Sequence, residues 1–317
     1  MPTRDTNFTV GLVQRRCTED RDDNVRRALD GVREAASKGA HIVCLQEMFN
    51  ATYFCKREDF ALFDIAEPIL APDTGPTIKK CQDAAKQHNV VLIAPIFERR
   101  APGVYHNSAA VIDADGELLG VYRKMHIPDD PLYYEKFYFA PGDAEPPAPG
   151  TAKNCVSASG YRVWNTRHAR VAPLICWDQW YPENARIAAL LGAEVLFYPT
   201  AIGWRPEEKA EFGEDHRDGW RTVQRAHAIS NELFVAAVNR TGHEPEPGTG
   251  GIDFFGSSFV ADPFGRVVAE SPVDEEHVLV VECPRRMIDD TRRHWPFFRD
   301  RRVDAFQPLT QRWLGNG

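Results

Sequence analysis

Short apolar runs alternate along the chain with longer stretches in which apolar residues recur every three or four positions. FTVGLVQ (8–14), HIVCLQE (41–47) and VVLIAPIFE (90–98) read as strands, and 20–38 and 76–88 between them read as amphipathic helices. The stretch VYHNSAAVIDADGELLGVYRK (104–124) holds two strand-like runs about a DADG turn, so it predicts a hairpin that delivers Lys124 at its end. Further on come YRVWNT (161–166), an apolar run over 169–176, a helix over 182–191 with Pro182 in its first turn, and EVLFYPTA (194–201). A helix over 215–232 and the strand LFVAAVNRTG (233–242) continue the alternation, and DFFGSSFVADP and HVLVVECP supply two more strands. Strand and helix in turn predict an α/β layered fold. The proline-rich PGDAEPPAPG (141–150) interrupts the pattern without changing it, so it reads as a surface loop inside one domain spanning residues 1–290. A basic and aromatic tail, 291–317, follows.

With 317 residues and 43% hydrophobic content the chain is long enough to bury a sizeable core. No run approaches the roughly 18 apolar residues of a membrane span, and the first residues lack the apolar core of a signal peptide. A cytoplasmic protein with no membrane partner is the expectation. The net charge of −8, from 38 basic and 46 acidic residues, disfavours nucleic acid as a partner and suits a neutral or cationic small molecule. The tail segment RRHWPFFRDRR (292–302) mixes arginine with aromatics as single-strand nucleic-acid surfaces do, but the same mixture marks protein interfaces. Seven cysteines, at 17, 44, 55, 81, 155, 176 and 283, are odd in number and widely spread, which predicts free thiols in a reducing compartment. Neither C-x-x-C nor H-E-x-x-H spacing occurs, so no metal site is expected.

Three polar residues end strand-like runs: Glu47, Lys124 and Cys176. Singly, each has an ordinary structural reading as a capping carboxylate, a solvated strand-end charge and a packed thiol. Together they make a chemical set, provided they meet in the crevice at the carboxyl ends of the strands. A thiol is only a few per cent thiolate at neutral pH, so a nucleophilic cysteine needs a base or a nearby cation. A glutamate can take its proton and return it to a leaving amine, while a lysine holds charge developing on the attacked oxygen. That suits acyl transfer from an amide-like carbon.

LQEMFNATYF (45–54), YRKMHIPDDPLYYEKFYFAPGD (122–143), LICWDQWYPENARIAALLGAEVLFYPTAIGW (174–204) and GSSFVADPFGRVVAES (256–271) carry a resemblance. They resemble the carbon-nitrogen hydrolase (nitrilase) superfamily and, within it, the N-carbamoylputrescine amidohydrolases. The resemblance implies a four-layer α-β-β-α sandwich with Glu47 as general base, Lys124 as electrostatic support, Cys176 as nucleophile and Glu135 as a second glutamate beside the lysine. It implies substrate contacts from Trp177, whose amide would face the oxyanion, and from Asp178, Tyr53, His126 and Ala201. No metal or organic cofactor is implied. The expected reaction cleaves a carbamoyl amine to amine, carbon dioxide and ammonia through a thioester-like intermediate. The alternatives are hydrolysis of an N-carbamoyl-β-amino acid such as β-ureidopropionate, of an N-carbamoyl-D-amino acid, or of another aliphatic amide. Carboxylates at Asp129, Asp130, Asp178, Glu183, Asp215 and Asp218 are candidates to hold a cationic tail. Arg205, Arg217 and Arg221, in a charged stretch that departs from the subfamily pattern, are candidates for an anionic one. The resemblance also implies a homodimer, or a higher homo-oligomer, paired through the tail.

Overall fold

The computed structural model describes residues 7–146 and 152–315. Its first sheet has six strands in the order His277–Cys283, Phe8–Gln14, Ile42–Leu45, Val91–Ala101, Val104–Ile112, Leu118–Arg123. Phe8–Gln14, Ile42–Leu45 and Val91–Ala101 run parallel, with helices Arg21–Ser37 and Pro76–His88 as the crossovers. These strands are mostly apolar where both faces are covered, and Val91–Ala101 turns polar from Glu98 toward its exposed end. Val10, Leu12, Cys44 and Ile93 point into the core shared with the second sheet, whereas Val13, Val43, Leu45 and Leu92 pack on Val25, Val32, Ile78 and Cys81 of the helices. Helix Arg21–Ser37 starts where the Asp20 carboxylate accepts the Asp23 N–H, 3.0 Å. Helix Pro76–His88 opens on a proline and closes on Asn89 in the left-handed region.

The second sheet has seven strands in the order Val267–Glu270, Phe259–Ala261, Phe234–Asn239, Val195–Thr200, Arg170–Pro173, Tyr161–Asn165, Cys155–Ala158. Its central three strands are parallel and are linked by helices Pro182–Leu190 and Pro206–Asn231. Phe8 of the first sheet meets Phe234 of the second edge to face, ring centroids 5.8 Å apart, inside the common core. Helices, sheet, sheet and helices make the four-layer α-β-β-α sandwich. No helix among the described residues is long and apolar enough to cross a membrane.

Four segments differ from the periodicity reading. The helix expected over 215–232 begins earlier, at Pro206, because its first part buries no residue before Trp220 and so shows no apolar period. DFFGSSFVADP is two strands: Gly256 and Ser257, at φ 57° and 56°, turn the chain out of a small sheet (Gly203–Trp204, Ile252–Phe255, Thr241–Glu244) into the large one. LFVAAVNRTG likewise divides into Phe234–Asn239 and Thr241–Glu244. At the end, helix Arg285–His294 runs across residue 290 with Ile288 and Thr291 buried, and beyond it Trp295 still meets Phe264 and Phe298 still packs against the core and Arg186. The proline-rich stretch is irregular over 141–146, and its remainder, 147–150, lies outside the described residues.

Candidate active site

The parallel strands deliver polar residues to one crevice. Ile42–Leu45 leads to Glu47, Arg170–Pro173 to Cys176, Val195–Thr200 to Ala201 and Phe234–Asn239 to Arg240. Lys124 follows strand Leu118–Arg123 directly, and its backbone N–H is held by the Asn107 carbonyl at 2.9 Å.

Lys124 Nζ lies 3.0 Å from Glu47 Oε1 and 2.7 Å from Glu135 Oε2, and all three side chains are fully buried. Asn107 Nδ2 donates to Glu47 Oε1 at 2.7 Å, and the Tyr53 hydroxyl donates to Glu135 Oε1 at 2.7 Å. Glu47 Oε2 is the one carboxylate oxygen of this cluster that accepts no hydrogen bond among the described residues. Burial works against the Lys124 ammonium, but Glu135 and then Glu47 outweigh it and hold Lys124 well above the usual lysine range. Burial raises the Glu135 carboxyl, Lys124 opposes, and Glu47 adds to the rise. Burial likewise pushes the Cys176 thiol well up, Glu47 pushes it further, and Lys124 and the Ala201 backbone offset only part. With burial and the Glu47 charge both set against the thiolate, the resting form of Cys176 is the thiol.

Cys176 opens the 3₁₀ turn Cys176–Trp180 and sits at φ 44°, in the left-handed region that costs a residue with a Cβ about 1–2 kcal/mol. Asp178 holds that turn. Its Oδ2 accepts from the Ile175 N–H at 3.0 Å and the Tyr122 hydroxyl at 2.8 Å, while Oδ1 accepts from the His126 N–H at 3.0 Å and lies 2.9 Å from His126 Nδ1. Gln179 ties the same turn to helix Pro206–Asn231 through Trp220 Nε1, 2.9 Å, and His227 Nε2, 2.8 Å from its carbonyl. Cys176 borders a cavity of about 440 Å³ with Trp177, Ala201, Tyr133, Asp130, Arg205, Glu208 and His216 on its walls. A cavity of about 510 Å³ near Cys17, Arg57 and His243 does not include Cys176.

A family model of carbon-nitrogen hydrolases matches residues 9–293. The chain belongs to the carbon-nitrogen hydrolase family. It is a hydrolase acting on carbon-nitrogen bonds. An N-carbamoylputrescine amidase of Arabidopsis thaliana is 44% identical over 311 residues, 96% of each chain. A citrullinase of Francisella tularensis is 37% identical over 97% of this chain and 99% of its own. The crystal structure of a carbon-nitrogen hydrolase from Helicobacter pylori G27 superimposes with a TM-score of 0.86 at 40% identity, covering 98% of this chain and 100% of the other.

In this carbon-nitrogen hydrolase, Glu47 and Glu135 both contact Lys124, and the charges of all three act on the Cys176 thiol. Trp177 and Ala201 line the cavity as a substrate contact requires. Asp178 does not: it is fully buried with both oxygens on protein donors, so its part is to hold the turn. His126 is bound to Asp178 and stacked on Tyr181 at 3.7 Å, and it is absent from the cavity wall. Tyr53 is fully buried and reaches the site through Glu135. Among the tail candidates Asp130 and Arg205 line the cavity, whereas Asp129, Glu183, Asp215, Asp218, Arg217 and Arg221 do not. Periodicity missed Asn107, Glu208 and Arg240. Asn107 lies in a polar triplet, His106–Ser108, inside the strand-like run VYHNSAAVI, which is the signal that could have marked it; Glu208 and Arg240 had no such signal.

Proposed function

We propose that the protein hydrolyses an N-carbamoyl amine with a cationic tail, N-carbamoylputrescine first among them. The observation that carries this is the buried Glu47–Lys124–Glu135 cluster acting on Cys176, which itself borders a cavity that also holds the carboxylates of Glu208 and Asp130. The amidases at 44% and 43% identity bear the name of that substrate.

In this mechanism Glu47 Oε2 takes the Cys176 proton and the sulfur attacks the carbamoyl carbon. The oxyanion forms between Lys124 Nζ and the Trp177 amide. Collapse breaks a C–N bond, and Glu47 gives its proton to the departing nitrogen. Water, deprotonated by Glu47, then cleaves the thioester-like intermediate. The balance is R–NH–CO–NH2 plus water to R–NH2, carbon dioxide and ammonia. Glu135 keeps Lys124 charged and placed, with no proton transfer of its own. The test is ammonia release from a panel of N-carbamoyl amines, N-carbamoyl amino acids, simple amides and nitriles by wild type and Cys176→Ala. Turnover of carbamoylputrescine that vanishes in the variant is expected; activity retained in the variant would sink the assignment.

A second reading has one observation behind it. Arg205 stands on the cavity wall beside Glu208, 2.6 Å away, a pairing of charges that suits an amino-acid head such as that of citrulline. Preference for citrulline or β-ureidopropionate over carbamoylputrescine in the same panel would select it.

We also propose that residues 1–290 work as one catalytic domain, in the cytoplasm and in polyamine synthesis, and that the tail pairs subunits into a homodimer or higher oligomer. Seven free cysteines support a reducing compartment. Exposed Trp295, Phe297, Leu309 and Trp313 support an interface. Sedimentation of the chain truncated after His294 is expected to show loss of the oligomer.

A further inference from the structure

Glu47 hangs from one sheet and Cys176 from the other, so their distance depends on what locks the sheets together at this edge. Arg240, one residue past strand Phe234–Asn239 of the second sheet, is fully buried. Its Nη2 donates to the carbonyls of Glu47, 2.8 Å, and Met48, 3.2 Å; its Nη1 donates to the Ala51 carbonyl, 3.3 Å, and to Glu244 Oε1, 2.6 Å. Glu244 Oε2 in turn accepts the Tyr53 N–H at 2.6 Å and lies 3.5 Å from Lys56 Nζ. Tyr53 is the residue whose hydroxyl holds Glu135. The guanidinium also lies 5.9 Å from the centre of the Tyr53 ring and 5.3 Å from that of Phe254.

We propose that Arg240 and Glu244 are a positioning pair that sets the Glu47 loop, and through Tyr53 the Glu135 carboxylate, against Cys176. The inference rests on the reading of Glu47 as the base for that thiol. A buried ion pair is a poor choice for stability alone, since two well-packed apolar residues often serve as well or better. Apolar residues cannot gather three loop carbonyls and the Tyr53 amide, which is what this pair does. Arg240 is planar and forked, so it reaches the carbonyls and Glu244 at once; a lysine ammonium at the same place cannot span both sets.

The test uses the full chain with Arg240→Lys, Glu244→Gln, and the double variant Arg240→Met/Glu244→Gln, which removes both buried charges together. The readout is the rate of Cys176 alkylation by iodoacetamide across the neutral and alkaline range, followed by peptide mass spectrometry. The rate at neutral pH is expressed as a fraction of each protein's own high-pH plateau. Glu47, Lys124, Glu135 and the Tyr53 and Tyr133 phenols are the ionisable groups facing the sulfur, and none is altered in these variants. The expected result is a fraction raised about tenfold, the change that accompanies one unit in a proton equilibrium, because a displaced Glu47 charge no longer opposes the thiolate, with the plateau retained. Mere loosening of the fold would expose the thiol and raise the plateau instead. Profiles of folded variants that superimpose on wild type would overturn the positioning role. Alkylation does not depend on which carbamoyl compound the enzyme turns over, so a wrong substrate and a wrong positioning role are told apart.

Discussion

Lys124 and Glu135 meet at 2.7 Å with no exposure to solvent, and Glu47 lies on the other side of the same ammonium at 3.0 Å. Two carboxylates about one cation leave a surplus negative charge that the fold can hold only while the lysine is there. Lys124→Met is therefore expected to destabilise the protein by about 3 kcal/mol, the cost of stranding a buried partner. Adding Glu135→Gln restores most of that stability without restoring turnover, which stays down roughly 100-fold or more because the oxyanion support is gone. Urea unfolding and ammonia release on the single and double variants separate the two effects.

Cys176→Ala removes the nucleophile from a turn that Asp178 and Gln179 continue to hold, so its unfolding midpoint stays close to wild type. Turnover falls by roughly a thousandfold or more, as when a nucleophile acting within a unit is removed. Cys176→Ser is expected to be almost as inactive. Ammonia release by purified protein with an intact circular dichroism spectrum is the check.

Asp178→Asn keeps the shape of the side chain but turns an amide N–H2 toward donors that now need an acceptor. A loss of about 2 kcal/mol is expected from the groups left unpaired. Because the affected turn carries Cys176, kcat falls while KM for the carbamoyl substrate holds. Urea midpoints and steady-state kinetics report both.

Much of this arrangement was legible in the order of residues, for physical reasons that differ from place to place. The hairpin was visible because Asp113 and Gly116 close its turn, the glycine at φ 88° where a Cβ is disfavoured. Glu47, Lys124 and Cys176 stood out because each follows an apolar strand. Glu208 did not, since the part of its helix before Trp220 buries nothing and shows no period. The Arg240–Glu244 pair was hidden because charged residues four apart look like a solvated surface until burial is known. The break at Gly256 and Ser257 was masked by apolar residues on either side.

On the proposed reading Glu208 is a cavity carboxylate that holds the cationic tail, and Arg205 retains Glu207, 3.1 Å, as a second partner when Glu208 is changed. Glu208→Gln is expected to raise KM for N-carbamoylputrescine about tenfold or more, the worth of a charge-assisted hydrogen bond. The neutral analogue N-carbamoylbutylamine should be unaffected. Parallel kinetics on the two substrates decide it.

Away from the site, burial and then the neighbouring His41 ring lower the His168 imidazole to about 4. The two rings stack with centroids 4.7 Å apart. A histidine lowered in the folded state binds its proton more readily once unfolded, so its contribution is present above the unfolded value near 6.5 and is lost as pH falls toward 4. Allowing for its partial exposure, wild type is expected to lose ~2 kcal/mol over that window through this group. His168→Gln should lack this component, as measured by urea midpoints at each pH.

The division of Glu47 and Cys176 between two sheets also bears on when reactivity arises during folding. Residues 47, 124 and 135 can gather within the first half of the chain, but the thiol arrives only with the second sheet, and Arg240 closes the edge later still in sequence. A partly synthesised chain thus carries an ordinary cysteine, and chemical competence marks the docking of the two halves.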